Sequence, residues 1–286
     1  MKLLDLWRAF REERSISLAE TSLTSDYRQV EQWLERCPIQ DPALARQALI
    51  WVLQQKPEKS ARRVGHYMKT LFRWACSEDV ALVARNPIAS FKFPKKPQTH
   101  AEVVVIPQDL VAEVLWALEQ GSPNEARWHL LANFMLQTGL RTAEAFGLQW
   151  ADVDLAAKRI LIHQNFTLTH GLRKRTKTGV ARQVPLNPVA LRVLTEVSAL
   201  QLSDEFVFPW NRQSYMSAFR NCMERLRRQG VIRKRFRPYD LRHTHISALL
   251  EKGIPVSQIA AWAGNSAAMI WSNYAATTTD YEMPSL

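Results

Sequence analysis

The sequence lacks any apolar run long enough to cross a bilayer, and charged side chains interrupt every short apolar stretch of residues 1–15. We therefore expect neither a transmembrane helix nor a signal peptide. Cysteines are few, odd in number and widely separated, at Cys37, Cys76 and Cys222. Neither a disulfide framework nor a zinc site fits that spacing, so we expect a reducing, cytoplasmic location, no structural metal and no membrane association.

Acidic residues are also scarce relative to basic ones, with 27 Asp and Glu against 38 Lys and Arg, which gives a net charge of +11. The excess is +6 in residues 1–100 and +5 in the remainder. Basic charge in both halves is typical of a protein that contacts a polyanion with its whole length, whereas one basic tail would indicate an accessory arm. Charge alone fits both a nucleic-acid-binding protein and a merely soluble basic one.

A length of 286 residues favours two domains over one. Apolar residues at three-to-four spacing predict four or five short amphipathic helices in residues 1–90, and the Thr-Ser-Asp run at 24–26 is typical of a helix start. Residues 86–100 hold three prolines, three lysines and no acid, which predicts an extended linker. We predict a helical domain, a linker and a second domain over residues 1–93, 94–102 and 103–286.

The pattern after the linker predicts a mostly helical domain with a small antiparallel sheet near its middle. Helices are expected at 107–120, 124–137, 142–148, 188–200, 214–229, 239–252, 255–263 and 267–276. Strands are expected at 159–163, 165–169 and 181–186. The predicted fold class is therefore mainly α, or α+β.

Two arginines stand beside predicted helices. Arg141, in TGLRTAEAFGLQW, precedes a helix N-terminus, where a guanidinium and free backbone N–H groups together suit a phosphate. Glu144 can brace it, although a surface pair of this kind contributes under about 1 kcal/mol. Arg242, in RPYDLRHTHISALL, adjoins the apolar stripe of its helix and needs a phosphate or a carboxylate as partner.

Three further features lie in the predicted second domain. Lys177 lies at the edge of a predicted hairpin turn, where lysines are usually solvated. Tyr274 lies near the end of a short helix, where most tyrosines only pack. The run at 225–237 holds seven Lys and Arg and no acid, and it leads directly into the Arg242 helix. Such a run is a strong electrostatic signal for a polyanion.

In chain order, the segments TGLRTAE, TKTG, DLRHT and GNS, with a tyrosine nine residues after that asparagine, resemble the tyrosine recombinase (phage integrase) family. The resemblance covers the second domain, and the first is similar, more loosely, to the helical core-binding (SAM-like) domain of these enzymes. It implies a bacterial or phage-encoded, nucleoid-associated enzyme. It also implies site-specific cutting and rejoining of DNA through a 3′-phosphotyrosyl intermediate, without ATP, cofactor or metal.

The resemblance also implies the roles of individual residues. Arg141 and Arg242 are expected to bind the non-bridging oxygens of the scissile phosphate, and Glu144 to buttress Arg141. Lys177 is expected to protonate the departing 5′ oxygen, and Tyr274 to be the nucleophile. Two fixed guanidiniums suit this reaction, because the phosphate gains negative charge in the transition state.

Two positions depart from the family pattern. Tyr239 stands where the second arginine box usually has histidine, and Asn265 follows Gly264 where histidine or tryptophan is usual. Both side chains can donate hydrogen bonds to a phosphate oxygen, but Tyr239 is a poor general base near neutral pH. His243 is expected to support the site, although it does not simply inherit the missing histidine's role, because successive helix positions point about 100° apart.

The implied partner is double-stranded DNA, bound by a homotetramer assembled on two sites from a monomer or weak oligomer. We expect the following basic residues to contact DNA: Lys95, Lys96, Arg173, Lys174, Arg175, Arg233, Lys234 and Arg235. Two alternatives stay open. One is a catalytically weak or inactive DNA-binding protein of the same fold, and the other is a type IB topoisomerase-like enzyme that relaxes DNA by the same chemistry.

Overall fold

The computed structural model describes residues 1–18, 22–55, 58–93, 103–121, 127–167, 171–173 and 180–274. The chain divides into two compact units, Met1–Pro97 and Gln98–Leu286, and each has its own hydrophobic core. The predicted linker, residues 94–102, lies outside the described residues. Both units are largely helical and the second also holds short antiparallel strands, which confirms the predicted fold class.

The first unit is built from helices that bury one face each. They are α1 Leu3–Ser15, α2 Arg28–Arg36, α3 Ala45–Gln54 and α4 Glu58–Ala75. Helix α1 packs against α2 and α4, and α3 packs against α4. Leu3, Leu6, Trp7 and Phe10 are buried, so the three-to-four spacing correctly identifies the inner face of α1.

The helix start predicted at residues 24–26 is wrong. Residues Leu23–Tyr27 form a π-helical stretch that continues into α2. The Asp26 carboxylate accepts hydrogen bonds from Arg63 Nη1 at 2.7 Å and from the Tyr67 hydroxyl at 3.2 Å, both on α4. Asp26 does not cap a helix, because the backbone is already helical at Leu23, before it, and stays helical after it.

The second unit contains the helices α5 Gln108–Gln120, α6 Trp128–Thr138, α7 Thr142–Gly147, α8 Pro188–Ala199, α9 Arg212–Arg228, α10 Pro238–Glu251, α11 Val256–Ala263 and α12 Ala267–Tyr274. Helix α6 packs against α5, α8 and α10. Each predicted helix is present, but α6 begins after Arg127, whose backbone is not helical. None of the described helices combines the length and apolar character needed to cross a membrane.

The strands of the second unit form two small antiparallel sheets. They are β1 Val153–Asp154, β2 Arg159–Ile162, β3 Asn165–Thr167, β4 Gly171–Arg173 and β5 Arg182–Pro185. One sheet has the order β1-β2-β5 and the other pairs β3 with β4. Ile162 lies opposite Arg182, and Ile160 lies opposite the buried Val184. Since alternate residues of a strand share a face, Arg182 points to the same side of the sheet as Val184.

Candidate active site

Arg141 lies at the N-terminus of α7, just after a glycine turn. Gly139 ends α6 with φ +65°, and a Cβ there would meet the His245 ring at 2.5 Å, so this turn requires glycine. Arg141 Nη2 donates to the Gly264 carbonyl at 2.8 Å and to Asn265 Oδ1 at 2.9 Å. The turn before α7 is thereby joined to the turn between α11 and α12.

Glu144 is a buried carboxylate shared by two arginines. It accepts hydrogen bonds from Arg141 Nη1 at 2.8 Å and from Arg182 Nη1 and Nη2 at 3.0 and 2.7 Å. Burial alone would raise its pKa, but the hydrogen bonds from Arg182 and the charges of both arginines hold the pKa below its usual value. Glu144 is therefore ionised at neutral pH.

Arg242 is a buried cation without a carboxylate partner among the described residues. Its Nη1 donates to the Gly139 carbonyl at 2.6 Å and its Nη2 to the Ala263 carbonyl at 2.7 Å. Burial and the charge of Arg141 lower its pKa to about 10, so the guanidinium stays charged at neutral pH. Arg242 thus bonds to the same two turns as Arg141, and the described residues supply only carbonyl oxygens to its charge.

Tyr274, the last residue of α12, is 3% exposed and packs among apolar side chains of α10, α11 and α12. Its hydroxyl is hydrogen-bonded to His243 Nδ1. Burial raises the pKa of Tyr274, while the charge of Arg242 acts in the opposite direction. Burial also lowers the pKa of His243 below its usual value, so its imidazole is neutral at neutral pH.

Tyr239 lies next to His243 on α10, with the two rings edge to face at 4.9 Å between centroids. Unlike Tyr274, it is 42% exposed. Asn265 uses its Oδ1 to accept a hydrogen bond from Arg141, which leaves its amide NH₂ as a donor. The described residues contain no group of three or more His, Cys, Asp or Glu side chains arranged to hold a metal ion.

The sequence profile of the phage integrase family matches residues 105–280, which carry all of these side chains. The chain belongs to this family. A tyrosine recombinase XerC-like protein of Caldanaerobacter subterraneus subsp. tengcongensis is 25% identical over 256 residues, which cover 77% of this chain and 62% of that protein. The chain spans about three fifths of the length of this and another curated relative.

Solved structures of integrases share the fold. The Tn1549 transposon integrase in complex with transposon right end DNA has a TM-score of 0.78 at 18% identity, over 96% of this chain and 95% of that one. The lambda integrase tetramer bound to a Holliday junction has a TM-score of 0.69 at 16% identity, over 99% of this chain and 80% of that one. At such identities the likeness concerns the fold alone.

Several residues predicted for this integrase-family site lie outside the described residues. They are Lys177, the predicted general acid, and the predicted DNA contacts Lys95, Lys96, Lys174 and Arg175. Arg173 ends β4. Arg233, Lys234 and Arg235 lie between α9 and α10 and are exposed.

A cavity of about 660 Å³ opens beside Tyr239. Its basic lining residues are Arg212, Arg220, Arg235 and Arg237. Burial lowers the pKa of Arg212, and its Nε has no hydrogen-bond partner among the described residues. Arg235 and Arg237 approach Glu224 and Asp240 at 3.6 and 3.1 Å respectively. The cavity is therefore cationic, which suits a polyanion at this edge of the site.

Sequence reasoning missed Arg182, the second arginine on Glu144. Its side chain is 8% exposed. The signal was the alternation Arg182, Val184, Leu186, which places an arginine on the inner face of a strand. Since a charged side chain in such a position needs a partner, the pattern predicts a buried carboxylate nearby without identifying Glu144.

Proposed function

We propose that this protein is a site-specific DNA recombinase that cuts and rejoins DNA through a 3′-phosphotyrosyl intermediate. The observation that carries the proposal is that Arg141 and Arg242 bind the neighbouring carbonyls of Gly264 and Ala263. Tyr274 is hydrogen-bonded to His243, the residue that follows Arg242 on α10, so two guanidiniums and a phenol meet in one part of the fold. Membership of the phage integrase family supports the same function.

In the proposed reaction, Arg141 and Arg242 bind the two non-bridging oxygens of the scissile phosphate. The Tyr274 oxygen attacks phosphorus, the bond from phosphorus to the 5′ oxygen breaks, and Lys177 donates a proton to that oxygen. The two guanidiniums stabilise the charge that develops in the transition state. The phosphotyrosyl ester keeps the strand activated, so the reverse attack by a 5′ hydroxyl rejoins DNA without ATP.

We assign the phenol proton to His243. Its imidazole is already hydrogen-bonded to the Tyr274 hydroxyl and, with its lowered pKa, is neutral and able to accept a proton. Tyr239 and Asn265 supply hydrogen bonds to the phosphate. Asn265 retains its NH₂ group for this purpose, because only its Oδ1 is bonded to Arg141.

Reaction with duplex DNA requires a movement of Tyr274. In the free chain Tyr274 is 3% exposed, which is too little for contact with a phosphate of a double helix. We propose that DNA binding releases α12 enough to expose the phenol while the two arginines stay in place. The free chain then holds its nucleophile in an unreactive position.

The proposed partner is double-stranded DNA, and the proposed assembly is a homotetramer on two sites. The net charge of +11 and the exposed residues Arg233, Lys234 and Arg235 support binding to DNA. The likeness to an integrase that forms a tetramer on a Holliday junction supports the assembly. Residues 1–93 would form the core-binding domain and residues 103–286 the catalytic domain.

A suicide substrate tests the proposal. Nicked duplexes made from inverted repeats in the DNA that flanks the gene are expected to yield a covalent protein–DNA adduct. Tyr274→Phe should abolish the adduct and retain DNA binding, while the matched variant Tyr281→Phe should still form it. DNA binding by the wild type without any adduct would favour an inactive DNA-binding protein. Relaxation of plasmids that lack a cognate site would favour a topoisomerase.

A further inference from the structure

The guanidinium of Arg182 uses all of its nitrogens in hydrogen bonds, although it lies at the first residue of a strand. Nη1 and Nη2 donate to the two oxygens of Glu144 at 3.0 and 2.7 Å, and Nε donates to the Trp262 carbonyl at 2.7 Å. A two-pronged arginine–carboxylate contact combines charge-assisted hydrogen bonds with a fixed geometry. Arg182 therefore orients the Glu144 carboxylate as well as balancing its charge.

Glu144 passes this orientation to Arg141. Its Oε1 accepts from Nη1 of both arginines, and its Oε2 accepts from Arg182 Nη2 and from the backbone N–H of Arg141 at 2.9 Å. Each carboxylate oxygen thus receives one hydrogen bond from each arginine. Rotation of the carboxylate would break bonds to both, so a fixed Glu144 fixes the guanidinium of Arg141.

Arg182 also packs against the turn that binds Arg141. Gly264 has φ +64°, and a Cβ there would lie 3.0 Å from the Arg182 guanidinium. The carbonyl of the same glycine accepts the hydrogen bond from Arg141 Nη2. The absence of a side chain at residue 264 therefore lets one turn contact both arginines.

We propose that Arg182 is a positioning residue that, through Glu144, aims the Arg141 guanidinium at the scissile phosphate. This inference rests on the proposed recombinase function. Every nitrogen of Arg182 is already bonded to Glu144 or to the Trp262 carbonyl, and the side chain is 8% exposed, so Arg182 is placed to hold Glu144 and not to bind the phosphate. Its side chain acts only through its neighbours.

The charges around Glu144 define what the loss of Arg182 would do. The cations that face this carboxylate are Arg141 just before α7, Arg182 on β5 and Arg242 on α10. Without Arg182, the main hydrogen bonds that lower the pKa of Glu144 disappear while its burial, which raises the pKa, remains. Glu144 would then take up a proton at higher pH and lose its hold on Arg141.

Cleavage kinetics test this role. Arg182→Gln removes the charge, and Arg182→Lys keeps the charge but cannot make the two-pronged contact with Glu144. Arg159→Gln is the matched control, because Arg159 is an exposed arginine on the neighbouring strand. We expect Arg182→Gln to slow single-turnover adduct formation about 10- to 100-fold, the usual range for hydrogen bonds to charged groups, with DNA affinity unchanged. The fall in the rate of Arg182→Gln at low pH should begin at a higher pH than in the wild type. Arg182→Lys should recover part of the rate. A rate and pH profile equal to those of Arg159→Gln would overturn the proposal.

The pH dependence of unfolding tests the same contact without any activity. If the pKa of Glu144 is raised in the folded variant, protonation of Glu144 favours the folded state. Arg182→Gln should therefore melt below the wild type by the largest margin near about pH 7, and this margin should shrink towards about pH 5. Adding Glu144→Gln should abolish this pH dependence. A deficit that is equal at every pH would indicate packing alone and overturn the proposal. Should Arg182→Gln not fold, Arg182→Lys, which keeps the charge but loses the two-pronged contact, should show a smaller deficit with the same direction of pH dependence.

The two experiments separate this inference from the proposed function. Failure of the wild type to form an adduct would contradict the recombinase proposal. The unfolding comparison would still show whether Arg182 keeps Glu144 ionised. Adduct formation by the wild type, together with a pH-independent deficit in Arg182→Gln, would retain the recombinase and reject the role of Arg182.

Discussion

The hydroxyl of Tyr274 is hydrogen-bonded to Nδ1 of His243, from α12 to α10. Tyr239, the residue at the family's usual histidine position, contacts the ring of His243 edge to face. One helical turn separates Tyr239 from His243, and the imidazole of His243 lies between the two tyrosine rings. An imidazole is therefore available at the nucleophile although the usual position holds tyrosine.

The first prediction concerns His243→Gln. Glutamine keeps a hydrogen bond to the phenol but cannot accept its proton, so we expect single-turnover adduct formation to slow by about 10²-fold or more. In the wild type, the rate should fall as pH drops through the pKa of His243, because protonated histidine cannot accept a proton. Burial lowers that pKa below the usual value for histidine.

Rapid-quench measurements over a range of pH would check both effects. His243→Gln should lack the acid limb that belongs to histidine, and His163→Gln, a half-exposed histidine paired with Asp152, should keep it. If His243→Gln retained the wild-type rate and the wild-type acid limb, the phenol proton would have another acceptor.

The second prediction compares two glycines with similar backbones. Gly264 and Gly253 have φ +64° and +73°, and an added Cβ meets the Arg182 guanidinium at the first and nothing within 4 Å at the second. Alanine at either site adds left-handed strain of about 1–2 kcal/mol. Only Gly264→Ala also displaces Arg182, so it should unfold at a lower temperature than Gly253→Ala.

Thermal unfolding followed by circular dichroism would measure this difference. Gly264→Ala should also lower the rate of adduct formation, because the same turn supplies a carbonyl to Arg141. Equal melting temperatures for the two variants would mean that the guanidinium of Arg182 moves aside without loss.

Local sequence patterns, without the family resemblance, predict only contacts between residues that are close together in the chain. Arg141 and Glu144 are three residues apart at a helix N-terminus, where that spacing brings side chains together in any helix. Arg182 is 38 residues from Glu144, and Asn265 is 124 residues from Arg141. Those contacts depend on strand register and on the packing of α11 and α12, which local periodicity does not encode.

In the fold as well, the sequence predicts local features better than features that depend on distant contacts. Periodicity identifies the helices of the second unit because their inner faces are apolar, and the longer strands because their residues alternate. It misses β1 and β4, which have two and three residues and are held by pairing to β2 and β3. It also misplaces a helix start at Asp26, because the backbone is already helical at Leu23, before it.

The third prediction separates a free arginine from a paired one in DNA binding. Arg233 is exposed and has no hydrogen-bond or ion-pair partner among the described residues, whereas Arg227 donates to Glu224 at 2.8 Å. A phosphate contact releases counterions, so log affinity falls as log salt rises. Arg233→Gln should make this fall less steep, by about 0.9 in the slope. Arg227→Gln should change the slope less, because Arg227 must first leave the Glu224 carboxylate.

Fluorescence anisotropy with a labelled duplex between about 50 and 200 mM salt would measure both slopes. Identical slopes for wild type and Arg233→Gln would exclude this residue from the DNA interface, and a larger change at Arg227 would mean that the Glu224 pair opens on DNA.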